Sequence, residues 1–94
     1  MPYVLVRITV EDYAKWKPVF DDFSAVRKAT GSKGARVLQN ADNPNEVIVI
    51  TEWANMEQAR QMAQSQELRE AQQRAGVTGP PDVYFLDEVD NQPA

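Results

Sequence analysis

Val47-Ile48-Val49-Ile50 is an aliphatic run with no polar residue inside it. Successive side chains of a strand point to opposite faces, so Val47 and Val49 take one side and Ile48 and Ile50 the other. Both sides of that strand therefore want dry surroundings. A second run, Val4-Leu5-Val6-Arg7-Ile8-Thr9-Val10, divides more clearly. Val4, Val6, Ile8 and Val10 make an aliphatic row that belongs under helices, whereas Tyr3, Leu5, Arg7 and Thr9 make a mixed row suited to an open face. Which row of Val47–Ile50 joins the helices is left open, because nothing alternates there.

The chain has 94 residues, enough for one core and for helices on one face of a sheet. The uncovered face is expected to meet a second copy of the chain. Leaving Leu5 and one row of Val47–Ile50 wet forgoes about 1.5–3 kcal/mol per large aliphatic side chain, in a domain whose whole stability is about 5–15 kcal/mol. Leu5, Arg7 and Glu52 are the expected interface residues. Glu52 is the candidate carboxylate for Arg7, since an unpaired buried charge is costly. The alternative is that Arg7 reaches solvent at the sheet edge.

Outward from these runs, Glu11-Asp12 opens a helix at its positive end. Tyr13, Trp16, Val19, Phe20, Phe23 and Val26 recur at helical spacing. Pro18 interrupts that pattern and predicts a bend near Trp16-Lys17. Gly31 and Gly34 stop the helix. Residues 35–40 and 46–53 form a hairpin around the turn Asp42-Asn43-Pro44-Asn45. Asn55 and Gln58 make a capping-box pattern for a second helix, with Met56, Ala59, Met62 and Ala63 inward. Ser65 restarts it, with Leu68, Ala71 and Ala75 inward, and Gly76 ends it. Gly79-Pro80-Pro81 forces a turn before a last strand, residues 82–89. The order βαββαβ predicts an α+β, ferredoxin-like domain over residues 1–89, a four-stranded antiparallel sheet with two helices on one face and a sheet-to-sheet homodimer. Residues 90–94 read as a frayed polar tail.

Composition narrows function. The net charge is −4, against nucleic acid and against anionic membranes. Cysteine and histidine are both absent, so there is no thiolate nucleophile, no imidazole base and no metal site built on either. No apolar stretch reaches the roughly 18 residues of a membrane span, and the N-terminus has no signal-peptide pattern. The expectation is a cytoplasmic protein without cofactor or metal.

Several features together resemble one superfamily. They are Asp12-Tyr13, Trp16-Lys17 and Phe20 on the first helix, Glu52-Trp53 closing the third strand, Ser65 with Glu67-Leu68-Arg69-Glu70-Ala71 and Ala75-Gly76-Val77 on the second, and Val83-Tyr84-Phe85-Leu86 at the end. Residues 3–89 resemble the dimeric α/β-barrel superfamily, and within it small proteins related to the antibiotic-biosynthesis monooxygenase group. The resemblance implies sheet-to-sheet pairing into a barrel. It also brings activities: some members oxidise aromatic polyketides without metal or flavin, and some degrade haem. Monooxygenase-like members often carry an aromatic residue at the end of the third strand, a histidine nine residues on and a serine three beyond. Here Trp53 and Ser65 match, and Met62 stands at the histidine position. Haem ligation by that route is excluded.

The candidate ligand pocket is Trp16, Phe20, Arg36, Trp53, Met62 and Tyr84. Trp53 has two readings, a wall stacking on a flat ligand or a core aromatic. Trp16, Phe20 and Phe23 have the same two. Arg36 and Tyr84 are strand residues suited to orienting an anion or phenol, with a solvated edge as the alternative for Arg36. Met62 is a flexible gap-filler. Asp21 and Asp22 diverge by about 100° on a helix and are not a catalytic pair. Three functions stay open: a dimeric binder of a small aromatic or hydrophobic ligand, a cofactor-independent monooxygenase or cyclase acting on a polyketide-like aromatic, and a structural or protein-interaction dimer.

Overall fold

A computed structural model describes residues 2–94. The elements run β1 (Pro2–Val10), α1 (Tyr13–Asp22), α2 (Ser24–Thr30), β2 (Ser32–Asn40), β3 (Asn43–Trp53), α3 (Met56–Ala63), α4 (Gln66–Arg74) and β4 (Val77–Asp87). The strands form one antiparallel sheet in the order β2-β3-β1-β4, the ferredoxin-like arrangement with each helical layer split in two. The two aliphatic runs are the inner strands, paired Val4↔Thr51, Val6↔Val49 and Ile8↔Val47.

That register decides the faces. Val4, Val6, Ile8 and Val10 lie under the helices with Val47, Val49, Thr51 and Trp53; Val47 is fully buried. Ile48, Ile50 and Glu52 share the other face with Tyr3, Leu5 and Arg7. One core cluster gathers Phe23, Trp53, Ala59, Met62 and Ala71 on Val4. A second gathers Trp16, Val47, Val49 and Ala75 on Ile8 and Val10.

Local chemistry sets the boundaries. Asp12 caps α1, its Oδ1 accepting from the Ala14 N–H at 3.0 Å, and Ser65 Oγ caps α4 by accepting from Leu68 N–H at 3.2 Å. The bend expected near Trp16-Lys17 is absent. α1 runs through Pro18 and breaks at Phe23 instead. Pro18 removes only the bond to the carbonyl of Ala14, an exposed residue, where water replaces it. At Phe23 the chain turns so that this ring enters the cluster around Val4 and Trp53, away from that of Trp16.

Two turns also differ from expectation. The β2–β3 turn is Ala41-Asp42, and Asn43-Pro44-Asn45 begins β3. β1 pairing starts only at Glu46, so Pro44 costs that ladder no bond. Gly79-Pro80-Pro81 lies within β4 as a bulge, where pairing steps from Arg7↔Asp82 to Thr9↔Thr78. β2 begins earlier than residue 35, at Ser32, with an irregularity between Ser32 and Gly34, which pair with Trp53 and Glu52.

Asn55 supplies half of the capping box, its Oδ1 accepting from Gln58 N–H at 2.8 Å. Gln58 does not reciprocate: its buried Oε1 has no hydrogen-bond partner among the described residues, and its amide packs on Gly31. Gly31 has φ +121°, and a Cβ there would overlap Gln58 Oε1. Gly31→Ala is expected to lower the stability measured by urea unfolding by at least about 1–3 kcal/mol, the cost of the backbone conformation alone. Adding Gln58→Ala should remove the steric part and leave the backbone part. An unchanged urea midpoint for Gly31→Ala would contradict this geometry.

Candidate functional site

Between the helices and the sheet lies a cavity of about 110 Å³. β1 and β3 form its floor through Val4, Val6, Ile8, Val49, Thr51 and Trp53, and Trp16, Phe20 and Phe23 close one side. Opposite them, α3 and α4 present Ala59, Met62, Ala63, Leu68 and Ala71. Pro81 and Val83 of the edge strand β4 also line it, Val83 being 36% exposed.

Few polar groups meet this space. Trp53 Nε1 donates to Thr51 Oγ1 at 2.7 Å, both buried; they share a face of β3 two residues apart, so the bond follows from strand parity. Trp16 and Phe20 stack with centroids 4.8 Å apart. Half-buried Arg27 lies over the Phe20 ring, 3.9 Å from its centroid, and its Nη1 donates to the Phe20 carbonyl at 3.0 Å. Desolvation lowers the pKa of Arg27, partly opposed by Asp21. Gln72 of α4 completes the polar lining. The arrangement can hold a flat apolar group; it has no imidazole, no thiol and no carboxylate in its wall. No group of three or more metal-ligating side chains occurs among the described residues, and no helix there is long and apolar enough to cross a membrane.

The model of the antibiotic biosynthesis monooxygenase family matches residues 3–74. The chain belongs to that family. Solved structures share the fold at low identity. SnoaB, a cofactor-independent oxygenase from Streptomyces nogalater, is 18% identical with a TM-score of 0.80, covering 99% of this chain and 97% of its own. A candidate antibiotic biosynthesis monooxygenase from Bordetella bronchiseptica is 15% identical with a TM-score of 0.79, covering 94% and 96%. Another from Caulobacter crescentus is 20% identical with a TM-score of 0.75, covering 95% and 90%. No curated protein matches the chain in sequence.

In this family member the cavity brings together Trp16, Phe20, Trp53 and Met62 of the pocket residues expected from sequence. Arg36 and Tyr84 are not with them. Arg36 pairs with Ile50 and Tyr84 with Leu5, which puts both on the open face of the sheet. Arg36 lines a polar hollow with Tyr3, Glu52, Glu88, Asp90 and Asn91. Acidic neighbours disfavour an anion there. The Tyr3 phenol is held above its ordinary pKa by desolvation, then by Glu88 and Glu52.

Leu5, Arg7 and Glu52 all lie on the open face, but Glu52 is not the partner of Arg7 within the chain. Arg7 pairs with Glu46 at 2.7 Å and Asp82 at 2.8 Å. Glu52 sits opposite Tyr3, four residues or about 13 Å along the strand. The Glu46 carboxyl also accepts from Asn40 Nδ2 at 2.8 Å, and hydrogen bonds from Asn40 and Arg7 hold its pKa down.

Arg27, Gln72 and Leu68 are cavity residues the sequence reading did not name as such. Arg27 carried a signal: it continues the spacing Trp16, Phe20, Phe23 by one further step of four.

The buried indole–hydroxyl bond gives a direct check. Trp53→Phe should cost about 1–3 kcal/mol for the unpartnered Thr51 hydroxyl, beyond the packing change. Thr51→Val in that background should recover part of it in a double-mutant cycle read by chemical denaturation. Strictly additive losses would show that the two groups are not coupled.

Proposed function

We propose that this family member binds a small single-ring aromatic or hydrophobic ligand in the cavity between sheet and helices, as one half of a sheet-to-sheet homodimer. The observation that carries the binding reading is an apolar cavity walled by Trp16, Phe20, Trp53 and Met62 and left unfilled in a small domain. Its volume supports a single ring: an apolar cavity of about 150 Å³ suffices for benzene, and flexible Met62 can yield the difference from about 110 Å³. Three fused rings do not fit these walls as they stand.

Family membership and the likeness to SnoaB support a second reading, cofactor-independent oxygenation. In such chemistry the substrate itself is the reductant. A phenol-activated CH₂ loses a proton, its carbanion passes electrons to O₂, a C–O bond forms, and the hydroperoxide loses water to leave a carbonyl. The balance is CH₂ + O₂ → C=O + H₂O. The chain would contribute dry walls and orientation.

Tryptophan fluorescence separates these readings. Wild-type protein should be quenched saturably by a single-ring aromatic, and Met62→Trp, which fills the cavity, should abolish saturation. Quenching that never saturates would remove the binding reading. Oxygen uptake with a single-ring phenol carrying an activated CH₂, with ¹⁸O from O₂ appearing in the product carbonyl and the activity lost in Met62→Trp, would establish the oxygenase; no uptake despite saturable binding would exclude it for that class.

The dimer reading rests on the open face. Leu5, Ile48 and Ile50 are only partly covered, and Leu38, Tyr84 and Leu86 are 48%, 55% and 40% exposed. Contiguous apolar surface of this kind is characteristic of interfaces. Sedimentation at micromolar concentration should give twice the chain mass, and Ile48→Lys should give the single chain with its far-UV spectrum intact. A wild-type protein sedimenting as one chain would overturn the reading.

A further inference from the structure

We infer that Arg27 makes the cavity select anionic single-ring ligands (carboxylates, phenolates or enolates) over neutral ligands of the same shape. The inference rests on the cavity being a ligand site, and it names the ligand's charge and the residue that reads it.

The geometry is specific to this arginine. Among the described residues it is the one charged side chain in a wall whose other polar side chains include Thr51 and Gln72. Its guanidinium carbon lies over the Phe20 ring, 3.9 Å from the centroid, and one nitrogen, Nη1, donates to the Phe20 carbonyl. A guanidinium carries five N–H donors, all in its plane. The contact through the guanidinium carbon and the one bond to the Phe20 carbonyl leave further N–H donors for an oxyanion. The side chain is thus held in place by one ring and one carbonyl, with donors to spare.

No carboxylate competes for those donors. Among the described residues no acid lies within ion-pair distance of Arg27. The acid whose field it feels is Asp21, and Lys17 holds Asp21 at 2.6 Å. The strand arginines differ: Arg7 is flanked by Glu46 and Asp82, and Arg36 shares its hollow with three acids, Glu52, Glu88 and Asp90. Arg27 is partly desolvated with no carboxylate in ion-pair contact among the described residues, so an anion beside it gains a charge-assisted hydrogen bond and offsets that desolvation. A neutral ring gains only the apolar walls.

The test uses benzoate and its neutral isostere benzamide with wild-type protein, Arg27→Gln and Arg27→Lys, titrated by tryptophan fluorescence and calorimetry. Wild type should prefer benzoate. Arg27→Gln should weaken benzoate binding by about tenfold or more, the scale of one charge-assisted hydrogen bond, and leave benzamide within about twofold. Arg27→Lys should restore part of the preference. Bound para-nitrophenol, whose absorbance reports ionisation, should have a lower apparent pKa on wild type than on Arg27→Gln. Equal affinity of wild type for benzoate and benzamide, or equal weakening of both by Arg27→Gln, would overturn the inference while leaving the cavity a ligand site. Failure of wild type to bind either probe would remove both together.

Discussion

The structure depends on one constraint: its central strand is apolar on both sides and the chain owns helices for one. β3 sits between β2 and β1, with Val47 fully buried and Val49 nearly so beneath the helices. Ile48 and Ile50, on the reverse, are only partly covered. Because β1 pairs with β3 through Val6↔Val49 and Ile8↔Val47, the row of β1 that is wholly aliphatic fixes which row of β3 turns inward. The helices must then lay their apolar stripes over those residues, and the cavity can form only on that side. The ionic group Arg7–Glu46–Asp82 lies on the other side, tying β1 to both its neighbours across the open face.

Strand parity explains what could be read in the amino-acid order and what could not. β1 alternates, so its faces were legible from Val4, Val6, Ile8 and Val10 against Arg7 and Thr9. β3 does not alternate, and its orientation becomes readable only through pairing. The outer strands carry the same difficulty to the site. Arg36 and Tyr84 looked like ligand-orienting groups because they are polar residues in apolar strands. A one-residue change of parity moves a side chain through the sheet, and their partners Ile50 and Leu5 place both on the open face. Trp53 is two residues beyond Thr51 and six beyond Val47, in phase with the buried row, which is why its placement survived.

Breaks in the helices follow a similar logic. Pro18 has a known local cost, yet the cost falls on an exposed carbonyl and the helix continues. The break comes at Phe23, where no local signal marks it, because two separate core clusters compete for successive aromatic residues of one stripe. Local chemistry won where it was cheap to satisfy, as at Asp12, Asn55 and Ser65. Tertiary packing won where a large side chain needed a particular partner.

The cavity itself arises from unequal helix faces. Trp16 and Phe20 of α1 and Phe23 at the α1–α2 junction present large rings to the cavity. α3 and α4 answer largely with alanines, Ala59, Ala63 and Ala71, which cannot reach into the gap. Protein interiors are ordinarily packed to crystal density, and here about 110 Å³ between helices and sheet is not filled by side chains. A ligand seated there would return stability in proportion to its occupancy, and Arg27 in the wall would give the same space a charge preference that alanine and phenylalanine walls alone do not have. Size set by the alanines and charge set by one arginine are separate constraints on the same occupant, and each can be altered without disturbing the sheet that holds them.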